Sequence, residues 1–225
     1  MIQVRIFATN YYSLFKIFMF MIPGNAKIVK CPYCGEKKEL MTLISGNTCG
    51  AEYWSDNKCI AHMLPSISPV QKCTKCGKYY FEYKQPYEEG KNCSFELGEL
   101  TFLEWKEAYT QFISENVDMK DLLNVYFKII HSFNDCFYRE KSNKKPTEED
   151  YEFFVKMILA FIDNYNWSQG DSLFKAELYR EAGKMKECGD VLDAISYESL
   201  NDAVKEVYTQ IKHRMENNDN KVFRL

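Results

Sequence analysis

The chain reads as an α+β protein in two parts: a small β region built on two cysteine hooks with a hairpin inserted between them, then an all-helical region. Three observations carry this reading. Cys31-Pro32-Tyr33-Cys34-Gly35 and Cys73-Thr74-Lys75-Cys76-Gly77 repeat one pattern, each behind a lysine, Lys30 and Lys72. Across residues 27–85 side chains alternate with the two-residue period of strands, whereas from Glu99 apolar residues recur every three or four positions, the period of helices. Between the two, Gln85-Pro86-Tyr87-Glu88-Glu89-Gly90 and the residues up to 98 lose both periods and mark the boundary. The expected domains are therefore 27–90 and 98–217, with residues 1–26 as an extension and 218–225 as a frayed tail.

The first 26 residues are the least regular. Ile2, Val4 and Ile6 alternate like a strand, and Tyr11 to Ile22 is apolar apart from Ser13 and Lys16. As a helix, those twelve residues would span about 18 Å, short of a bilayer core of about 30 Å. Gly24 and Ala26 make a small-x-small site of the kind that ends a signal peptide. Lys16 interrupts the apolar run, however, and export would expose the hook thiols to oxidation. The reading adopted is an upstream extension, with Met19 and Met21 as alternative starts.

The hooks come next. Lys27-Ile28-Val29-Lys30 enters the first, and Lys78 to Tyr83, with Tyr79, Tyr80 and Phe81 in a row, leaves the second. Two residues between cysteines let a tight turn aim both sulfurs at one ion, and the glycine that follows tolerates the positive φ such a turn needs. Two hooks supply four thiolates, so Cys31, Cys34, Cys73 and Cys76 are the predicted ligands of one structural zinc ion, with Cys93 in reserve. Nine cysteines, an odd number in a chain of 225 residues, point away from a disulfide scaffold and toward a reducing compartment, here the cytoplasm. Strand, knuckle, strand, twice over, resembles the zinc-ribbon class across residues 27–85. It departs from that class in the 38 residues separating Cys34 from Cys73, where a compact ribbon has about 15–20.

Closing a longer loop costs only about 0.6 kcal/mol per doubling, so the insert is tolerable provided it folds. With Ser55-Asp56-Asn57 as a turn, Trp54 faces Lys58 and Tyr53 faces Cys59. Cys49, Ala51, Tyr53, Cys59, Ala61 and Met63 then share one apolar face, the expected core face; Glu52, Trp54, Lys58, Ile60 and His62 take the other. Cys59-x-x-His62 has the spacing of a third hook, but on an extended strand i and i+3 point to opposite faces.

Helices follow in order. Leu100, Leu103, Trp105, Tyr109 and Phe112 stripe the first; Leu122, Tyr126, Ile129, Phe133 and Phe137 the second. After the basic loop Lys141–Pro146, Thr147 offers an N-cap with Asp150 three residues on, and Tyr151, Phe154, Ile158, Phe161 and Tyr165 stripe the third. Ser168 and Asp171 repeat the capping signal before the fourth, Gly183 breaks the run, Met185 to Ile195 forms the fifth, and Leu200, Val204, Val207, Ile211 and Met215 stripe the sixth. Leu173, Ala176, Tyr179, Gly183, Met185, Cys188, Leu192 and Ile195 resemble one tetratricopeptide repeat (TPR), with Ala176 and Cys188 as its close-packing positions. Stable arrays need about three such units, so the flanking helices are degenerate repeats or an ordinary bundle. The whole arrangement, ribbon first and TPR-like helices after, resembles a group of uncharacterised bacterial proteins.

Catalytic signatures are missing from the sequence. There is no His-Glu-x-x-His, Gly-x-Ser-x-Gly, phosphate loop or dinucleotide fingerprint, and only three histidines, His62, His131 and His213. Gly35 and Gly77 stand where c-type haem attachment needs histidine. The expected protein is therefore a non-enzymatic zinc-binding adaptor with a protein partner, no membrane span and no small-molecule substrate. One alternative is a nucleic-acid-binding ribbon, with Lys30, Lys37, Lys38, Lys72, Lys75, Lys78 and Lys84 on phosphates and Tyr79, Tyr80 and Phe81 stacking on bases. Charge alone does not demand it: residues 1–97 carry 12 basic against 8 acidic side chains, a small excess beside the several-phosphate footprint of typical DNA binders and smaller still once four thiolates hold a zinc ion, and residues 98–225 carry 17 against 24. The other alternative is a dithiol redox protein, although such sites sit singly at a strand-to-helix junction.

Overall fold

The computed structural model describes residues 22–91, 99–139 and 144–225. The chain divides into two compact units. One takes the residues up to Ala51 and again Ile60–Leu100; the other takes Glu52–Cys59 together with Thr101–Leu225. The α+β class holds, since short antiparallel strands come first and six helices follow. The tip of the insert, residues 52–59, belongs to the helical unit.

In the β unit, β2 (Lys27–Lys30) lies between β3 (Lys37–Leu40) and β9 (Tyr87–Glu89), both antiparallel to it. β1 (Ile22–Pro23) pairs with β4 (Leu43–Ser45), and β7 (Val70–Lys72) pairs with β8 (Tyr79–Phe81). Strand, knuckle, strand thus occurs as β2–β3 and as β7–β8. Val29, Leu40 and Tyr80 bury against Cys31 and Cys73, so the core of this unit is built onto its cysteines. Of the stretch read as an extension, residues 1–21 lie outside the described residues; Ile22 and Pro23 form β1, and Ala26 is buried.

The insert forms the hairpin its sequence implies. β5 (Glu52–Tyr53) and β6 (Cys59–Ile60) pair around a turn in which the Trp54 N–H donates to the Lys58 carbonyl at 2.9 Å and Asn57 takes φ +62°. The expected face is met only in part: Ala61 is buried, Ala51 and Met63 are half-buried and His62 is exposed, but at the tip the burial is reversed. Cys49, Tyr53 and Cys59 are exposed, whereas Ser55 and Asp56 are buried and Trp54 and Lys58 half-buried. Alternation defines two faces without saying which one meets a neighbour, and here the polar face is matched by polar groups on the helices.

Side-chain caps open several of the helices. Thr101 and Glu104 close a reciprocal capping box before α1 (Phe102–Ser114), and Asp118 caps α2 (Met119–Asn134), which runs on into a π-helical turn (Asp135–Arg139). Thr147 accepts from the Asp150 N–H at 3.1 Å to open α3 (Glu148–Asn164). Ser168 and Asp171 bracket a 3-10 turn before α4 (Ser172–Glu181). α5 (Met185–Asp193) and α6 (Asp202–Glu216), capped by Asn201, complete the unit. Phe133 stacks on Phe154 with ring centroids 3.9 Å apart in one core. Ala176, Cys188, Leu192, Tyr208, Ile211 and Phe223 form another. Leu103, assigned to the first stripe, is exposed; Phe102 and Ala108 are buried on that helix instead. No helix among the described residues is long and apolar enough to cross a membrane.

The stretch after α6 is bound along its length rather than frayed. Val222 and Phe223 are buried, the Ser55 N–H donates to the Phe223 carbonyl at 2.9 Å, the Phe223 N–H to Ser55 Oγ at 3.0 Å, and the Leu225 N–H to the Tyr53 carbonyl at 2.9 Å. The Arg214 and Arg180 guanidiniums lie 4.5 and 5.4 Å from the Phe223 ring centroid, within cation–π range.

Gly183 ends α4 with φ +71°, and a Cβ there would approach Tyr151 Oη to 3.0 Å. Gly183→Ala is expected to cost about 1–2 kcal/mol in urea unfolding, with helix content unchanged. A neutral outcome would show that the turn relaxes freely.

Candidate metal centre

Both hooks fold as the same knuckle. The Cys31 carbonyl accepts from the Gly35 N–H at 2.9 Å, and the Cys31 N–H donates to the Glu36 carbonyl at 2.8 Å. In the second hook the Cys73 carbonyl accepts from Gly77 at 2.9 Å, and the Cys73 N–H donates to Lys78 at 2.8 Å. Gly35 and Gly77 have φ +74° and +71°, and a Cβ on either would meet nothing within 4 Å. Backbone conformation rather than space therefore calls for glycine at both positions.

The four sulfurs of Cys31, Cys34, Cys73 and Cys76 all lie within 4.8 Å of one another. The close pairs run between hooks: Cys31 to Cys76 at 3.7 Å and Cys34 to Cys73 at 3.5 Å. A disulfide would bring two sulfurs to about 2.05 Å, and all four are free thiols. For an ion holding four thiolates tetrahedrally at about 2.3 Å, adjacent sulfurs stand about 3.8 Å apart. The donor set and its spacing fit such an ion. Among the described residues, this is the group of His, Cys, Asp or Glu side chains that comes close enough to hold a metal.

The thiols do not behave alike without a cation. Burial opposes ionisation of Cys73, but N–H groups of Cys76 and Lys75 directed at its sulfur, together with the Cys34 and Cys76 thiols, bring it down to about 7. The Glu36 N–H favours the Cys34 thiolate, yet burial and the other three thiols outweigh it and push Cys34 up to about 12. Burial lifts Cys31 against the Tyr33 and Cys34 N–H groups. Burial, then the four cysteines, pushes the Tyr80 hydroxyl up to about 12. Negative charge crowded into one small volume is what a divalent cation relieves, and binding one expels the remaining protons. Cys31 and Cys73 are buried, Cys34 half-buried and Cys76 exposed, so the centre lies at the edge of its core.

The surrounding residues bear on the two alternatives. Tyr79, Tyr80 and Phe81 are buried and not free to stack on bases. Lys30 and Lys37 pair with Glu88 at 3.1 and 3.2 Å, and Lys75 with Glu36 at 3.7 Å. Lys72, Lys78 and Lys84 lie over the Tyr79, Tyr33 and Phe81 rings. Cys93 falls outside the described residues. Cys49, Cys59 and His62 are exposed, and none of them joins the sulfur group.

Sequence reasoning missed a second constellation, a buried polar core in the helical unit. Asp56, fully buried, receives hydrogen bonds from Asn134 Nδ2 at 3.0 Å and from Arg139, and its main-chain carbonyl lies 3.0 Å from His131 Nε2. Lys58 pairs with Asp135. The available signal was the set of polar residues interrupting the end of the second apolar stripe. Comparison with protein-family models, with curated proteins and with solved structures finds no match to this chain.

Proposed function

We propose that the chain is a non-enzymatic zinc protein in which Cys31, Cys34, Cys73 and Cys76 hold one structural ion and the folded units serve as surfaces for a protein partner. The carrying observation is that four free sulfurs from two like knuckles lie within 4.8 Å of one another. Four thiolates suit zinc and leave no open coordination position, so the ion supplies cross-linking rather than activation of water. The centre would join the β2–β3 and β7–β8 hairpins, whose common apolar cluster of Val29, Leu40 and Tyr80 packs on Cys31 and Cys73. Thiols that must stay reduced favour the cytoplasm. In the helical unit, Ala176 and Cys188 are wholly buried between α4 and α5 with Gly183 at the turn, which supports the likeness to a single TPR and a protein-binding role.

Metal analysis of the full-length protein, purified without added metal, tests the first part: one zinc ion per chain is expected. Cobalt should replace it with the visible absorption of a tetrahedral thiolate site. Iron, absence of metal, or rapid exchange of the hook thiols with a disulfide substrate would overturn the assignment, the last in favour of the redox alternative. Affinity capture with and without a chelator tests the second part. Retention of nucleic acid instead of protein, lost as salt rises, would favour the nucleic-acid alternative.

A further inference from the structure

The helical unit encloses more negative charge than its cations match. Asp56, Glu177 and Glu181 are each 0% exposed, and two guanidiniums are buried with them, those of Arg139 and Arg180. Arg180 grips Glu177 with Nε to Oε2 at 2.7 Å and Nη2 to Oε1 at 2.5 Å, and its remaining N–H groups reach the carbonyls of Asp219 and, at 2.9 Å, Lys221. Arg139 bridges Asp56 and, at 2.8 Å, Asp135. His131 presents Nε2 to a carbonyl oxygen, which requires N–H at that atom, and burial holds the imidazole below its ordinary value and hence neutral.

Among the described residues, no cation pairs with Glu181. Its Oε2 accepts from Asn134 Nδ2 at 2.8 Å, while the same amide donates to Asp56 Oδ2 at 3.0 Å. Glu181 Oε1 and Asn134 Oδ1 are buried with no hydrogen-bond partner among the described residues. One amide thus holds two buried carboxyl groups side by side, and only Asp56 has a guanidinium on it.

We infer that Glu181 is a neutral carboxylic acid in the folded protein, and that its proton makes the seating of the hairpin tip Glu52–Cys59 on the helices a proton-dependent latch. A second charge beside Asp56 and Glu177, away from water, would repel both. Burial first, then Glu177 and Asp56, push Glu181 well above the ordinary carboxyl range, against Arg180 and the Asn134 hydrogen bond. Asp56 on the hairpin, Glu177 and Arg180 on α4 and Tyr138 on the π turn act on it directly. One step further out, His131 and Arg139 face Asp56, Lys58 and Arg139 pair with Asp135, and Asp219 acts on Arg180 and Tyr138. A carboxyl raised in the fold stabilises it fully below the ordinary value, 4.5, and loses that contribution as pH rises toward the folded value. Carboxyls held low, such as Asp219 and Asp150, lose theirs in acid instead, so the two effects separate in pH. The latch needs no metal.

The test uses the full chain, its Glu181→Gln variant and Glu181→Ala. Amide exchange at Asn57 and Lys58, whose N–H groups bond within the turn, reports opening of the tip. After correction for intrinsic exchange, the opening constant of the wild type should rise with pH by up to about tenfold per unit through the titration of Glu181. Glu181→Gln should lack that rise and open no more than the wild type at the alkaline end, and Glu181→Ala should open more than the wild type at every pH. Parallel pH profiles for wild type and Glu181→Gln, or a Gln variant as open as the Ala variant throughout, would overturn the assignment.

Discussion

Replacing Cys34 by serine is expected to empty the proposed metal centre and unfold the β unit while the helices keep their circular dichroism. The magnitude follows from where the core lies. Val29, Leu40 and Tyr80 pack directly on Cys31 and Cys73, with Cys34 at their edge, so the proposed ligands are themselves the middle of this small apolar cluster. Structural zinc sites in small domains contribute about 10–16 kcal/mol at neutral pH, more than the whole stability of most small domains. A serine hydroxyl does not ionise near neutrality and leaves three thiolates, one of them, Cys76, already exposed. The measurement is zinc stoichiometry together with amide exchange resolved over β2, β3, β7 and β8. Retention of full protection in those strands by the variant would show that the hairpins are held by packing and that the sulfurs meet for another reason. Chelation of the wild type should reproduce the effect of the substitution, and acidification should as well, since protons compete with the ion for the same sulfurs.

How far the molecule is legible in its sequence depends on how local each determinant is. The hooks are local: two residues between cysteines and a following glycine specify a knuckle with no outside help, and both knuckles formed with the same hydrogen bonds. Helix starts are equally local, because a Thr147 or Ser168 side chain meets a group three residues on. The hairpin turn opposite Trp54 was readable for that reason. The buried face of its tip was not. Lys58, Asn134 and Arg139 look like solvated residues in sequence, and their partners lie 77, 78 and 83 positions away. The same holds for the segment after α6. Asn217 to Lys221 is polar and looked frayed, yet Arg180, more than thirty residues earlier, binds two of its carbonyls. Buried ion pairs are invisible to hydrophobic patterning because each half, taken alone, reads as surface.

Asp56→Ala is expected to be the most damaging substitution in the helical unit, at about 3–5 kcal/mol, the range for removing one partner of a buried ion pair. The cost comes from what stays behind. Arg139, with its side chain 1% exposed, would retain only half-exposed Asp135 as a carboxylate partner. Asn134 would lose one of its two acceptors, and the hydrogen bond from the Lys58 N–H to Asp56 Oδ1, which shapes the turn, would go with it. Ser55 next door carries the pairing with Phe223, so loss of the turn should also free the last strand-like segment. Urea unfolding followed by far-ultraviolet circular dichroism measures the loss, and Trp54 fluorescence follows the tip. Asp56→Asn, which keeps the shape and an acceptor but not the charge, should fall between wild type and Ala. The double variant Asp56→Ala with Arg139→Met should recover part of the loss, because the stranded guanidinium is removed with its partner. A single-variant cost below about 1 kcal/mol, or strict additivity in the double variant, would mean that the hairpin tip is held by Trp54 and the apolar contacts around it rather than by its buried charge.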